Sequence, residues 1–98
     1  MITTQYNQET IAKPLTWVEI DLKAIEHNWK ELKKLAVSNM SNNAGIMPVI
    51  KADAYGHGMI QIAQKLSDLG CKFFGVSNVQ EGLALREAGF KQRILLFE

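Results

Sequence analysis

The densest chemistry in the sequence lies in ten residues, Val49-Ile50-Lys51-Ala52-Asp53-Ala54-Tyr55-Gly56-His57-Gly58. An apolar run ends in Lys51, and a loop of small residues carrying one tyrosine follows. A lysine at the end of a buried strand is a candidate nucleophile or base. Burial disfavours its ammonium form, and the neutral amine is the form that attacks a carbonyl carbon. The competing reading is a strand-end lysine that snorkels to water. Tyr55 could donate its hydroxyl to a phosphate or simply pack on a neighbour. Gly56 and Gly58 permit a tight turn into the next helix, where an anion could sit. His57 could titrate or bind a metal, but no second ligand stands at metal spacing, so it reads as structural. Asp53 reads as a cap of the loop.

The elements that must position these residues follow from hydrophobic periodicity. Thr16–Leu22 alternates, with Val18, Ile20 and Leu22 on one face and Trp17, Glu19 and Asp21 on the other, as a first strand does. Glu19 and Asp21 would then face the interior and need partners. Leu22, Ile25, Trp29, Leu32 and Leu35 or Ala36 form a helical stripe. Glu26, Lys30, Glu31, Lys33 and Lys34 lie largely outside it, and His27 reads as a surface residue. Ser38–Gly45 is a loop, with Met40 and Met47 read as packing residues. A second strand spans about Ile46 to Lys51, placing Met47, Val49 and Lys51 on one side and Pro48 and Ile50 on the other.

Met59, Ile62, Ala63, Leu66 and Leu69 make a second helical stripe, ended by Gly70. Lys72–Ser77 is a third strand. Asn78 and Glu81 have the spacing of a capping box, opening a third helix to Ala88 with Gly89 as its stop. Arg93–Phe97 is a fourth strand. Repeated strand–helix units imply parallel strands with right-handed crossovers. That leaves an α/β fold, either a doubly wound open sheet or a (β/α)8 TIM-type barrel. No G-x-G-x-x-G follows the first strand, which weakens the dinucleotide-binding alternative. Four units are about half a barrel of roughly 250 residues. Lys51, at the C-terminal end of its strand, stands where barrel chemistry is found.

The totals exclude several classes. The 98 residues are 47% hydrophobic and 21% charged, with a formal net charge of +1. Acidic and basic residues are mixed, so neither nucleic acid nor a membrane surface is expected as a partner. Cys71 is the only cysteine and reads as a core residue in a reducing compartment. The polar leader 1–13 lacks the features of a secretory signal. No apolar run approaches the roughly 18 residues of a membrane span, and a cytoplasmic protein is expected.

Taken together, these residues closely resemble the alanine racemase family, fold-type III enzymes using pyridoxal 5'-phosphate. Val49–Gly58 resembles the family's cofactor-attachment signature, 16–29 its opening strand and helix, 75–90 its third unit and 93–97 its fourth strand. The resemblance covers nearly all of residues 14–98. It implies the N-terminal half of a (β/α)8 barrel, with four strands and three helices over 14–98, incomplete in this chain. It implies that Lys51 forms the Schiff base with pyridoxal phosphate and is the base on one face of the substrate. Tyr55 would hydrogen-bond the cofactor phosphate, and Val49 and Phe97 would make apolar contacts to its ring. Phe97 departs from the smaller aliphatic residue usual there, and Lys23 from an acidic one. The implied reaction interconverts L- and D-alanine and supplies D-alanine for peptidoglycan, in a homodimer and with no metal. The second base and a C-terminal β-domain would lie outside these residues, leaving 1–98 alone inactive. The alternative is a non-catalytic pyridoxal-phosphate-binding barrel protein.

Overall fold

The computed structural model describes residues 15–39 and 45–98; the leader 1–13 and Met40 lie outside the described residues. Strands β1 (Phe73–Val76) and β2 (Arg93–Leu96) pair in parallel, with Phe73 opposite Arg93 and Val76 opposite Leu96. The ladder runs on at its C-terminal end, where the Phe97 and Glu98 amides donate to the Val76 and Ser77 carbonyls at 2.9 and 3.0 Å. The other edge of β1 takes the run ending at Lys51. Gly75 donates to the Pro48 carbonyl at 2.8 Å and accepts from the Ile50 amide at 2.9 Å, around a single parallel bridge between Val49 and Gly75. The expected second strand is therefore reduced to this bridge, but its place beside β1 is kept.

Residues 16–21 differ from expectation, since they form no strand. Alternation gives a chain two faces, but a strand also needs a neighbouring edge to bond. None is present among the described residues, and Trp17 and Val18 are 60% and 54% exposed. Asp21 instead begins a helix. Its Oδ1 accepts from the Lys23 and Ala24 amides at 3.0 and 3.1 Å, as an N-cap side chain does. Glu19 accepts from the Trp17 indole N–H at 2.9 Å. The two carboxylates expected to face the interior thus find their partners locally.

Helix α1 (Leu22–Asn39) follows. A short helical segment, α2 (Lys51–Tyr55), leads into α3 (Met59–Asp68), and α4 (Val79–Glu87) joins β1 to β2. The α3 stripe is buried as its spacing requires: Met59, Ile62, Ala63 and Leu66. Helix α3 ends at Gly70, whose φ of 94° would strain any residue with a Cβ. Glycine has a different role at Gly82, which is buried. A Cβ there would lie 3.5 Å from Leu96 Cδ2 and 3.9 Å from Ile94 Cγ2, so its absence lets α4 lie close on β2.

The core sits between the sheet and these helices. Phe74, Val76, Ala63 and Leu85 are fully buried, and Ile50 nearly so. Phe74 meets Phe90 edge to face at 6.1 Å. Cys71 joins this core, its thiol donating to the Phe73 carbonyl at 2.9 Å, and burial pushes that thiol up from its ordinary value. Among the described side chains of α1 only Trp29 is buried; Leu32 and Leu35 of its stripe remain more than half exposed. Glu26 ties α1 to α3 through Lys65 at 3.3 Å and also pairs with Lys30 at 3.7 Å.

The hydrogen bond from Lys65, with the positive charges of Lys30 and Lys65, lowers the Glu26 carboxyl below its ordinary value. A depressed carboxylate contributes stability above its unfolded-state pKa and loses it as pH falls through the folded one. The protection of α1 amides against hydrogen exchange, taken relative to the intrinsic rate at each pH, should therefore fall on acidification through and below the normal carboxylate range. Glu26→Gln should remove that acid dependence; an unchanged pH profile would show that the pair does not hold α1.

Candidate active site

Lys51 sits where the chain leaves the sheet, half-buried, with its Nζ 5.8 Å from the centre of the Phe97 ring. No carboxylate pairs with it among the described residues, whereas Lys30, Lys34 and Lys65 all have acidic partners. Gly75 explains how the ring comes to lie there. A Cβ on Gly75 would stand 2.8 Å from Phe97 Cε2 and 3.4 Å from Met47 Cε. The glycine thus opens a seat on the sheet face opposite the core, and Phe97 fills it. Met47, Lys51, Gly75 and Phe97 gather on this face, while Ile50, Phe74 and Val76 pack on the other. Val49 is half-buried at its bridge to Gly75.

The backbone after Lys51 turns left-handed. Ala52, Asp53, Ala54 and Tyr55 have φ of 51°, 56°, 54° and 56°. Four consecutive non-glycine residues in this region are unusual, at roughly 1–2 kcal/mol each. Such a turn persists only where its surroundings over-determine it, and here they do. The Ala54 amide donates to the Ile50 carbonyl at 2.9 Å, and Gly56 and Gly58 donate to the Asp53 carbonyl at 3.1 and 2.9 Å. Asp53 Oδ1 accepts from the Met59 amide at 2.8 Å, so one residue both belongs to the turn and caps α3. His57 lies with Nδ1 2.8 Å from the Ala54 carbonyl. A carbonyl only accepts, so Nδ1 carries the proton. Asp53 thus caps the start of α3, and the His57 ring makes its bond within the turn.

The capping box is corrected. Asn78 does cap α4, accepting from the Glu81 amide at 3.0 Å. The Glu81 carboxylate, however, does not return to Asn78. Its Oε1 accepts from the Ser77 amide at 2.6 Å and its Oε2 from the Ala52 amide at 2.8 Å. Sequence reasoning missed this second role, because the bond to Ala52 spans 29 residues and spacing shows only the local one.

Lys51 and Phe97 are therefore brought together, with Gly75, which the sequence reading did not single out, as the third member. Tyr55 is 60% exposed at the end of the left-handed turn, and its hydroxyl has no hydrogen-bond partner among the described residues. An exposed donor at the mouth of a turn is free to meet an anion. No cluster of three or more His, Cys, Asp or Glu side chains fit for a metal occurs among the described residues, nor any helix long and apolar enough to cross a membrane.

Comparison with known proteins agrees with this geometry. Residues 20–98 match the family described as alanine racemase, N-terminal domain. The chain is 48% identical over 82 residues to alanine racemase 1 of Caldanaerobacter subterraneus subsp. tengcongensis, covering 84% of this chain and 20% of that protein. It is 46% identical over 80 residues to alanine racemase of a Nostoc species, covering 82% and 20%. It superposes on a solved alanine racemase of Clostridium difficile with a TM-score of 0.76 and 36% identity, covering 89% of this chain and 22% of that one. The chain thus spans about a fifth of the length of these relatives. The likeness shows the parallel α/β arrangement to be the opening part of a (β/α)8 barrel.

Two substitutions test the turn. Ala52→Gly should be neutral or stabilising by up to about 1 kcal/mol, because glycine tolerates positive φ; in a right-handed helix the same change costs about that much. Asp53→Ala should cost about 0.5–2 kcal/mol through loss of the α3 cap. Both are read from denaturation midpoints, and a clear loss for Ala52→Gly would contradict the left-handed backbone.

Proposed function

Since the chain belongs to the alanine racemase N-terminal domain family, we propose that the full-length protein interconverts L- and D-alanine with pyridoxal 5'-phosphate held at Lys51. The observation that carries this is an amine without an acidic partner among the described residues, presented where the bridged run 48–50 leaves the sheet and a left-handed turn begins. The residues present fit the group. Lys51 offers a primary amine for the aldehyde, Tyr55 an uncommitted hydroxyl for the phosphate, and Val49 and Phe97 apolar surface for the ring. When bound, pyridoxal phosphate is an electron sink that acidifies the α-proton of an attached amino acid.

The work left to this chain is positional and acid–base. Racemisation takes a proton from one face of the α-carbon and returns one to the other. Lys51, fixed at a strand end, serves one face by holding and releasing a proton at Nζ. A base on the opposite face would complete the exchange. We assign that second base to another part of the enzyme and to the partner subunit of a homodimer. We do not assign it to His57, whose Nδ1 bonds the Ala54 carbonyl within the same turn and whose loop position gives no reason to place it opposite Lys51. The product would be D-alanine for peptidoglycan, made in the cytoplasm. Residues 14–98 supply the first barrel units of that enzyme, and a C-terminal β-domain would follow.

Reduction of the full-length protein with borohydride should fix pyridoxal phosphate to Lys51. Lys51→Ala should lose both the visible cofactor absorption and racemase activity, and a labelled peptide mapping to another lysine would refute the assignment. Tyr55→Phe should weaken cofactor retention by about 1.5–3 kcal/mol, the usual worth of a hydrogen bond to a charged group. Unchanged cofactor affinity would remove Tyr55 from the phosphate site.

A further inference from the structure

We infer that Glu81 is a positioning residue for Lys51, acting as a two-armed clamp across the ends of adjacent strands. One carboxylate oxygen accepts from the amide of Ala52, the residue directly after Lys51. The other accepts from the amide of Ser77, directly after β1. A single planar group therefore sets the separation of the two strand ends and fixes the first residue of the left-handed turn. Both bonds are charge-assisted, which makes them short and strong. The carboxylate is itself favoured by its place in the first turn of α4, where the helix dipole is positive. Helix α4 is in turn seated on the sheet by Leu85 and Gly82, so the clamp is anchored in the core.

The geometry assigns a function beyond capping. A capping glutamate at this position would return to the Asn78 amide and leave Ala52 to water. Glu81 reaches instead to a backbone that is strained in the left-handed region and adjoins the reactive amine. Without the clamp, the Ala52 amide loses its partner and the turn loses a constraint at the point where Lys51 leaves the strand. The helix retains its own cap through Asn78. Loss of Glu81 should thus disturb Lys51 more than it disturbs α4.

The inference rests on the reading of Lys51 as the cofactor lysine, and the experiment separates the two. Cofactor-free full-length protein is mixed with pyridoxal phosphate. The Lys51 amine condenses with the aldehyde, water leaves, and borohydride reduces the C=N bond; labelled peptides give the rate at each lysine. Amide exchange at Ala52 and Ser77 is measured in parallel. In Glu81→Gln, one acceptor oxygen is replaced by an NH2 that opposes an N–H. Labelling of Lys51 should slow, and exchange at Ala52 or Ser77 should quicken, by about ten- to hundredfold, the equivalent of a lost hydrogen bond to a charged group.

Asn78→Ala, which weakens the same helix start without touching either amide, should leave the Lys51 rate unchanged. Glu81→Asp keeps the charge but is one methylene too short to span both amides. It should reproduce the Lys51 defect even if Glu81→Gln fails to fold. A wild-type Lys51 rate in Glu81→Asp, or an equal slowing in Asn78→Ala, would overturn the assignment. If wild-type Lys51 is labelled no faster than other lysines, the cofactor reading fails. Amide protection of Ala52 and Ser77 then decides the clamp, supporting it if lost in the Glu81 variants and overturning it if unchanged.

Discussion

The left-handed turn from Ala52 to Tyr55 is the constraint on which the site depends. A strand end alone would leave Lys51 on a flexible exit. Four residues in an unfavourable backbone region would not hold by themselves either. The turn holds because its polar groups are satisfied from three directions: the Ile50 carbonyl below, Asp53 and His57 from within, and Glu81 across from α4. Each bond contributes modestly, but together they leave the backbone no competing arrangement. Local strain is tolerated at the one place where a functional group must be aimed.

The sheet divides its two faces between stability and chemistry. On one, Phe74, Val76 and Ile50 pack against helices and exclude water. On the other, a glycine replaces a side chain and admits the Phe97 ring beside Lys51. The division follows from the two-residue period of a strand, which sends Phe74 and Val76 one way and Gly75 the other. A larger residue at 75 would leave the core untouched but displace Phe97 and Met47 from the face that carries the amine. Phe97 is bulkier than the aliphatic residue expected there, and Gly75 is what accommodates it.

Most of the helical architecture was legible in the sequence. Stripes in α3, the Asn78 cap and the glycine stops at Gly70 and Gly89 are local signals with local causes. Two kinds of feature were not legible. The alternation in residues 16–22 describes a face, yet a strand forms only when a neighbour supplies hydrogen bonds, and no spacing reports the neighbour. The left-handed turn is likewise silent, because alanine, aspartate and tyrosine do not announce positive φ as glycine does. Gly56 and Gly58 marked the loop but not the strained residues before them.

Glu81 shows why local spacing misleads at a functional site. Three residues after an asparagine, at a helix start, a glutamate satisfies the pattern of reciprocal capping. The pattern is half realised: the asparagine caps, and the carboxylate goes elsewhere. The reciprocal box would satisfy two backbone donors, those of Glu81 and Asn78, whereas the arrangement here satisfies three, those of Glu81, Ser77 and Ala52. The choice is made by the parallel sheet, which brings the ends of two strands side by side above the helix start and leaves the Ser77 and Ala52 amides pointing into one gap. A carboxylate fills that gap with both oxygens engaged, whereas the Asn78 amide would occupy only one. The residue that looks most local in the sequence is thereby one that ties the backbone beside Lys51 to the end of β1.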